Sequence, residues 1–293
     1  MERERVAINH RLFVPSRHRA PVSSPRDAPD VSAPLVVALH GCTQTAIDFA
    51  AGTQFDTVAE SAGAYVLYPE QSVANNSNRC WNWFEPEHQR RDAGEPAAIL
   101  ALVSETLAGH PIDPRAVFVV GLSSGGAMAS ILAEQAPDVF AGVGIMAGVP
   151  LHASHDLRSA NAAMRGDVQA ALLLPLLPRD PGRAARFGRM RASVWTGALD
   201  RTVDPANASV LAQQFLDLFD VPDVAAEHER RADCDVTRWR DAAGDVRVET
   251  WTVRAMGHSW SGGSFRGSHT FPRGPQASDV MLRFFLDERP APR

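Results

Sequence analysis

The chain contains no lysine: all 29 of its basic residues, across 293 positions, are arginine. That absence excludes a Schiff-base lysine, a Ser-Lys dyad and a phosphate-loop lysine. Aldolase, pyridoxal-phosphate and Walker-type nucleotide chemistries fall with them. Positive charge is not in excess either. A formal net charge of −5 and a pI near 6.1 argue against a nucleic-acid partner. Cysteine is scarce. Cys42, Cys80 and Cys234 form no CxxC pair, so the spacing gives no support to a zinc site. Their odd number allows one disulfide and one free thiol. The longest apolar run, AALLLPLL at 170–177, is too short to cross a bilayer. The amino terminus, MERERVAINHRLFVPS, is charged and then alternating, with no apolar signal core. A cytoplasmic protein with three reduced thiols is therefore expected, the alternative being a secreted or periplasmic one whose signal has been removed.

What is present is ordinary globular material, 45% hydrophobic and 22% charged. A chain of this length buries roughly 75% of its unfolded surface. Residues 1–16 alternate like an edge strand or hairpin, and 17–34 read as a Pro- and Arg-rich loop. LVVALH (35–40), AYVLYPE (64–70), AVFVVGL (116–122), FAGVGIMAG (140–148), ASVWTGALD (192–200) and VRVETWTV (246–253) read as strands. Helices are expected over 51–64, 94–110, 123–137, 207–219 and 277–288. Residues 151–190 read as an insertion with one or two helices, a candidate lid. Strands alternating with helices predict an α/β fold in one domain over 1–293, with a mostly parallel central sheet flanked by helices. Loops that carry chemistry then sit at the carboxyl ends of the strands.

Gly121-Leu122-Ser123-Ser124-Gly125 is a GxSxG motif between an apolar strand and an amphipathic helix. The motif is steric: a nucleophile on a strained turn needs small residues on either side, and Gly126 extends that small surface. The competing role for Ser123 is a helix cap. A serine at its ordinary pKa needs a base, and the acid and the histidine follow it in chain order in this fold. His258, in Gly-flanked sequence after the last strand, is the expected base, and His269 is the rival. Asp200, at a strand end, is the expected acid, with Asp204, Asp217 and Asp220 as rivals. The oxyanion needs two backbone N–H donors. Ser124 supplies one, and the HGCTQ segment (40–44) supplies the other from Cys42, or alternatively from Thr43.

These segments together resemble the esterase family of poly(3-hydroxybutyrate) depolymerases. The resemblance runs over nearly the whole chain after residue 34, through LVVALHGCTQTAIDFA (35–50), YPEQ (68–71), NRCWNWFEP (78–86), GLSSGGAMA (121–129), CDVTRW (234–239) and GHSWSGG (257–263). HGCTQ followed by CWNWF is far more specific than GxSxG. The resemblance implies an α/β-hydrolase with Ser123, Asp200 and His258 as triad and the Cys42 and Ser124 N–H groups as oxyanion donors. Thr196 stands where such enzymes often carry a histidine before the acid loop. It also implies a Cys42–Cys80 disulfide.

Trp81, Trp83, Phe84 and Trp260 are candidate acyl-pocket residues, the alternative being core or loop-anchoring aromatics. The expected activity is a serine carboxylesterase acting on short hydroxyalkanoate esters, oligomers or amorphous polyester, with no metal or organic cofactor. Crystalline polymer is a less expected substrate, because the sequence ends at the closing helix without a polymer-adsorbing module. A feruloyl or acetyl-xylan esterase is the alternative. An acyltransferase and a non-catalytic binding protein on the same scaffold are the remote ones.

Overall fold

The computed structural model describes residues 6, 8–18, 32–167, 182–188, 190–223 and 226–286. The strands are β1 (Asn9–Phe13), β2 (Ala33–Leu39), β3 (Tyr65–Glu70), β4 (Ile112–Leu122), β5 (Gly142–Met146), β6 (Arg191–Gly197), β7 (Glu227–Arg230), β8 (Cys234–Arg240) and β9 (Val246–Val253), followed by the short pair β10 (Trp260–Ser261) and β11 (Thr270–Phe271). The helices are α1 (Ala46–Thr53), α2 (Phe55–Ala62), α3 (Gly94–Gly109), α4 (Ser124–Gln135), α5 (Leu157–Met164), α6 (Arg183–Phe187), α7 (Ala206–Phe219) and α8 (Ala277–Phe285).

Nine strands form one sheet in the order β1-β3-β2-β4-β5-β6-β9-β8-β7. From β3 across to β9 every pairing is parallel, and the antiparallel pairs lie at the two ends. The central strands are apolar on both faces because both faces are covered. In β2, Leu35, Val37 and Leu39 enter the core layer with α3, α4 and α7, while Val36 and Ala38 enter the layer with α1, α2 and α8. β4 splits the same way, Val117 and Val119 against Phe118 and Val120. This period of two assigns each branched side chain to one layer, at about 1.5–3 kcal/mol for each large one buried. The expected α/β-hydrolase architecture is the one observed.

One local expectation changes, one feature is added and two segments stay untested. The single helix expected over 51–64 is two, α1 and α2, separated by Gln54 in the left-handed region (φ 59°). Phe49 and Phe55 both pack edge-on against Trp260, at 5.5 and 5.6 Å. Residues six apart lie roughly 240° apart around one helix, so both rings reach one indole only if the helix breaks between them. The antiparallel β7–β8 extension was not expected. Its strands carry charge at alternate positions, Glu227, Glu229, Arg238 and Arg240 among them, which masks the apolar signal of Cys234 and Val236. Finally, most of the 17–34 loop and the centre of the 151–190 insertion, including LLLPLLP, lie outside the described residues. Among the described residues that insertion carries α5 and α6.

Candidate active site

The GxSxG segment spans the end of β4 and the start of α4. Ser123 adopts φ 56° and ψ −119°, a conformation side-chain-bearing residues rarely occupy. Its hydroxyl caps nothing in α4, so the capping role does not account for it. The flanking glycines are required by contact. A Cβ on Gly121 would stand 2.1 Å from the Gly125 carbonyl oxygen, and one on Gly125 would stand 2.2 Å from that of Leu39 and 2.5 Å from that of His40. Backbone lies against backbone on both sides of the turn, and the turn lifts Ser123 above the sheet.

Backbone hydrogen bonds run along this rim of the sheet from strand to strand. Ser123 N–H donates to the Met146 carbonyl at 2.8 Å, and Ala147 N–H to Trp195 at 2.8 Å. Ala198 N–H donates to Val253 at 2.9 Å, and Leu199 N–H to Met256 at 3.0 Å. The loops holding Ser123, Asp200 and His258 are thereby tied to one edge. Across them His258 Nδ1 lies 2.8 Å from Asp200 Oδ2. Asp200 Oδ1 accepts from the N–H groups of Thr202 (2.8 Å) and Val203 (3.0 Å), and its side chain is fully buried. With Nδ1 so engaged, neither His258 Nε2 nor Ser123 Oγ has a hydrogen-bond partner among the described residues. The rivals sit elsewhere. Asp204 caps the start of α7 through Ala206 N–H at 2.9 Å, Asp217 and Asp220 lie at the far end of that helix, and His269 lies in the β10–β11 connection.

Residues 41–44 after β2 offer four N–H groups, and three are spent. Gly41 N–H donates to Gln44 Oε1 (2.9 Å), Thr43 N–H to the Asn78 carbonyl (2.7 Å) and Gln44 N–H to the Gly41 carbonyl (3.3 Å). Among these four, the Cys42 N–H is the one left without a partner among the described residues, so it is available as a donor where the Thr43 N–H is not. Ser124, first residue of α4, has no helical acceptor for its own N–H. The two candidate donors are neighbours, since Ser124 Oγ lies 3.4 Å from Cys42 Sγ. Cys42 is bonded to Cys80, so the sulfur carries no proton and the hydroxyl donates. This disulfide corrects the expectation of three reduced thiols. Cys234 alone is free, buried in β8, its thiol pushed up to about 11 by burial.

For Trp81 and Trp260 the structure follows the loop-anchoring alternative. These two acyl-pocket candidates are 0% and 1% exposed. The Trp81 indole donates to the His40 carbonyl at 2.9 Å, and the Trp260 indole to Ser278 Oγ at 3.1 Å. Trp83 is buried edge-on against Phe84, also buried. The large apolar area and single N–H of Trp81 and Trp260 suit them to anchoring loops in the core, and that is how they are used.

Residues not anticipated from sequence hold the Cys42–Cys80 region. Glu95, buried in the first turn of α3, accepts from the Gln71 side-chain amide, from Asn82 N–H at 2.8 Å and from Asn82 Nδ2 at 2.7 Å. Burial pushes its carboxyl above the usual range against the pull of these donors. Asn82 in turn accepts from Asn76 Nδ2 at 2.8 Å, and Asn76 Oδ1 accepts from Cys80 N–H at 3.2 Å. The only sequence signal was the density of amide side chains between 71 and 82.

Comparison with known proteins shows the family. Residues 22–239 match the family described as esterase PHB depolymerase. The chain belongs to that family. It is 37% identical over 231 residues to poly(3-hydroxyalkanoate) depolymerase C of Paucimonas lemoignei, covering 78% of this chain and 55% of that protein. It is 31% identical over 264 residues to the poly(3-hydroxybutyrate) depolymerase of Ralstonia pickettii, covering 83% and 51%. The chain thus spans about half the length of these relatives. Among solved structures, an acetyl xylan esterase from Aspergillus awamori superposes with a TM-score of 0.68 at 21% identity, over 86% of this chain and 89% of that one, which shows the shared fold.

Proposed function

We propose that this protein is a serine carboxylesterase of the poly(3-hydroxyalkanoate) depolymerase type, with Ser123, His258 and Asp200 as its triad and residues 1–293 as one catalytic domain. The observation that carries the reading is the Asp200–His258 hydrogen bond on the rim that also bears the strained Ser123. Backbone N–H groups of Thr202 and Val203 hold the Asp200 carboxylate in place, its other oxygen accepts from His258 Nδ1–H, and Nε2 is presented as the base. Ser123 Oγ attacks the ester carbonyl while His258 Nε2 takes its proton. The Cys42 and Ser124 N–H groups receive the oxyanion. His258 then protonates the leaving alcohol, and water cleaves the acyl-enzyme by the reverse route. The names of the two bacterial relatives support hydroxyalkanoate esters as the substrate class. Feruloyl esterase B of Neurospora crassa, 30% identical over 64% of this chain and 65% of its own length, supports aromatic esters as the second reading.

Among the described residues no helix is long and apolar enough to cross a membrane. A disulfide beside the oxyanion donor supports an oxidising compartment, hence a secreted or periplasmic protein rather than a cytoplasmic one.

The test compares a short-chain nitrophenyl ester, a 3-hydroxybutyrate trimer and amorphous poly(3-hydroxybutyrate), with Ser123→Ala as control. Trimer or polymer cleavage lost in the variant is the expected result. Nitrophenyl ester cleavage alone turns the search to aromatic and carbohydrate esters. Full activity in folded Ser123→Ala overturns the triad.

A further inference from the structure

His40 is fully buried at the end of β2, and both of its ring nitrogens are engaged. Nε2 lies 3.0 Å from Gln71 N, and Nδ1 lies 2.7 Å from the Gly41 carbonyl oxygen. A backbone N–H can only donate and a carbonyl can only accept. His40 is therefore the neutral tautomer with its proton on Nδ1, accepting at one end and donating at the other. The Gly41 carbonyl and the Cys42 N–H belong to one planar trans peptide and point in opposite directions. Whatever holds that carbonyl also aims that N–H, and a hydrogen bond accepted at the carbonyl strengthens the N–H as a donor.

We propose that His40 is a positioning residue for the oxyanion hole, its Nδ1–H holding the Gly41–Cys42 peptide so that the Cys42 N–H faces the developing oxyanion. This rests on the esterase reading above. The support of His40 is itself built. Its carbonyl accepts from the Trp81 indole, its ring lies 5.5 Å from that indole, and Gln71 is fixed by the buried carboxylate of Glu95. The charged groups around it are Glu70, Asp48 and Arg79, and burial holds the imidazole below its usual pKa, keeping it neutral. Protonation would set an Nε2–H against the Gln71 N–H and remove the acceptor on which the arrangement depends.

Two substitutions separate the ring's two ends. His40→Asn places an amide where Nδ1 was and keeps a donor for the Gly41 carbonyl. His40→Gln places one where Nε2 was, keeps an acceptor for Gln71 and loses that donor. Hydrolysis of nitrophenyl butyrate and inhibition by a trifluoromethyl ketone, which forms an anionic tetrahedral adduct, are measured on both. Losing an oxyanion donor outright costs about 10²–10³ in turnover. For a misaimed one, His40→Gln is expected to lower kcat by about 10- to 100-fold with KM within about twofold, and to raise the inhibitor Ki by the same factor. His40→Asn is expected to recover most of that loss. Equal kcat and Ki in the two variants overturns the proposal. Should either fail to fold, nitrogen-15 spectra of the wild-type protein decide. An Nδ1–H tautomer whose proton shifts downfield on adduct formation is expected, and an Nε2–H tautomer, or no response to the adduct, overturns it. A wild-type protein that neither hydrolyses esters nor is labelled at Ser123 by a fluorophosphonate instead fails the esterase reading, a different result from active, labelled protein indifferent to the His40 donor.

Discussion

The Asp200 carboxylate faces His258 with one oxygen and its own loop with the other. Oδ2 lies 2.8 Å from His258 Nδ1, while Oδ1 accepts from Thr202 and Val203 N–H. The two jobs are separable by Asp200→Asn. The amide retains an oxygen for the loop but turns N–H groups toward the imidazole. That forces the imidazole proton onto Nε2, where the ring cannot accept from Ser123. Asp200→Asn is expected to lower kcat by about 10³–10⁴, as the same swap does in serine proteases, with the melting temperature nearly unchanged. Asp204→Asn, at a helix start 2.9 Å from Ala206 N, is expected to change kcat less than about twofold. Equal losses in the two variants would remove Asp200 from the triad.

The turn under Ser123 predicts a sharp contrast among glycines. A methyl group on Gly125 meets two backbone carbonyl oxygens, at 2.2 and 2.5 Å, neither able to move without displacing β2. Gly125→Ala is expected to destabilise the protein by more than about 3 kcal/mol and to abolish activity. Gly109, in the last turn of α3, meets nothing within 4 Å. Gly109→Ala is expected to stabilise by about 0.5–1 kcal/mol through the lost entropy of the unfolded chain. Urea unfolding of both variants checks the pair, and a soluble, active Gly125→Ala protein would refute the steric account.

Much of this site was legible because its signals are local. The apolar run before GxSxG, the glycines around Ser123 and the positions of Asp200 and His258 at strand ends all sit within a few residues of the groups they position. Which way the tryptophans point, to pocket or to core, was not legible, for the opposite reason. Trp260 lies two residues from His258 in sequence, yet the chain turns its indole into the layer formed by Phe49 and Phe55, which only the tertiary fold brings near. Chain proximity constrains a backbone, not the direction of a side chain. The Glu95–Gln71–Asn82 network was invisible for a related reason: a buried carboxylate has the same letter as a solvated one. In the amino acids alone nothing distinguishes Glu95, with no exposed surface, from Glu87, which is exposed.

The Cys42–Cys80 bond closes a loop across 38 residues of sequence. Chain-entropy arguments give a cross-link of that span about 4 kcal/mol, an upper figure for a single bond. Cys42→Ala/Cys80→Ala is expected to lose about 2–4 kcal/mol in urea unfolding. Activity is expected to fall less steeply, by about tenfold, because the donor at residue 42 is a backbone N–H that survives the substitution and its turn stays held by Thr43 N–H on Asn78. An unchanged urea midpoint would show that the bond contributes nothing to the native state.

His152 and Glu134 form a second partly buried pair, away from the triad, that makes stability depend on pH. His152 Nε2 lies 2.8 Å from Glu134 Oε1 at the end of α4, and Glu134 is 1% exposed. The hydrogen bond to Glu134 raises the imidazole above its usual pKa, against the opposing effect of burial. The folded state therefore holds this proton more tightly than the unfolded chain does. The resulting stabilisation is complete below the unfolded histidine value of about 6.5 and is lost as pH rises through the raised folded value. Residue 152 has φ 58°, a left-handed position that asparagine tolerates, so His152→Asn removes the charge without adding backbone strain. The stability difference between wild type and His152→Asn is expected to be about 1 kcal/mol at pH 6 and to shrink toward pH 9. Urea midpoints measured across that range supply the difference curve. A difference that grows with pH would mean that the imidazole is neutral in the folded protein and that Glu134 is held by a hydrogen bond alone.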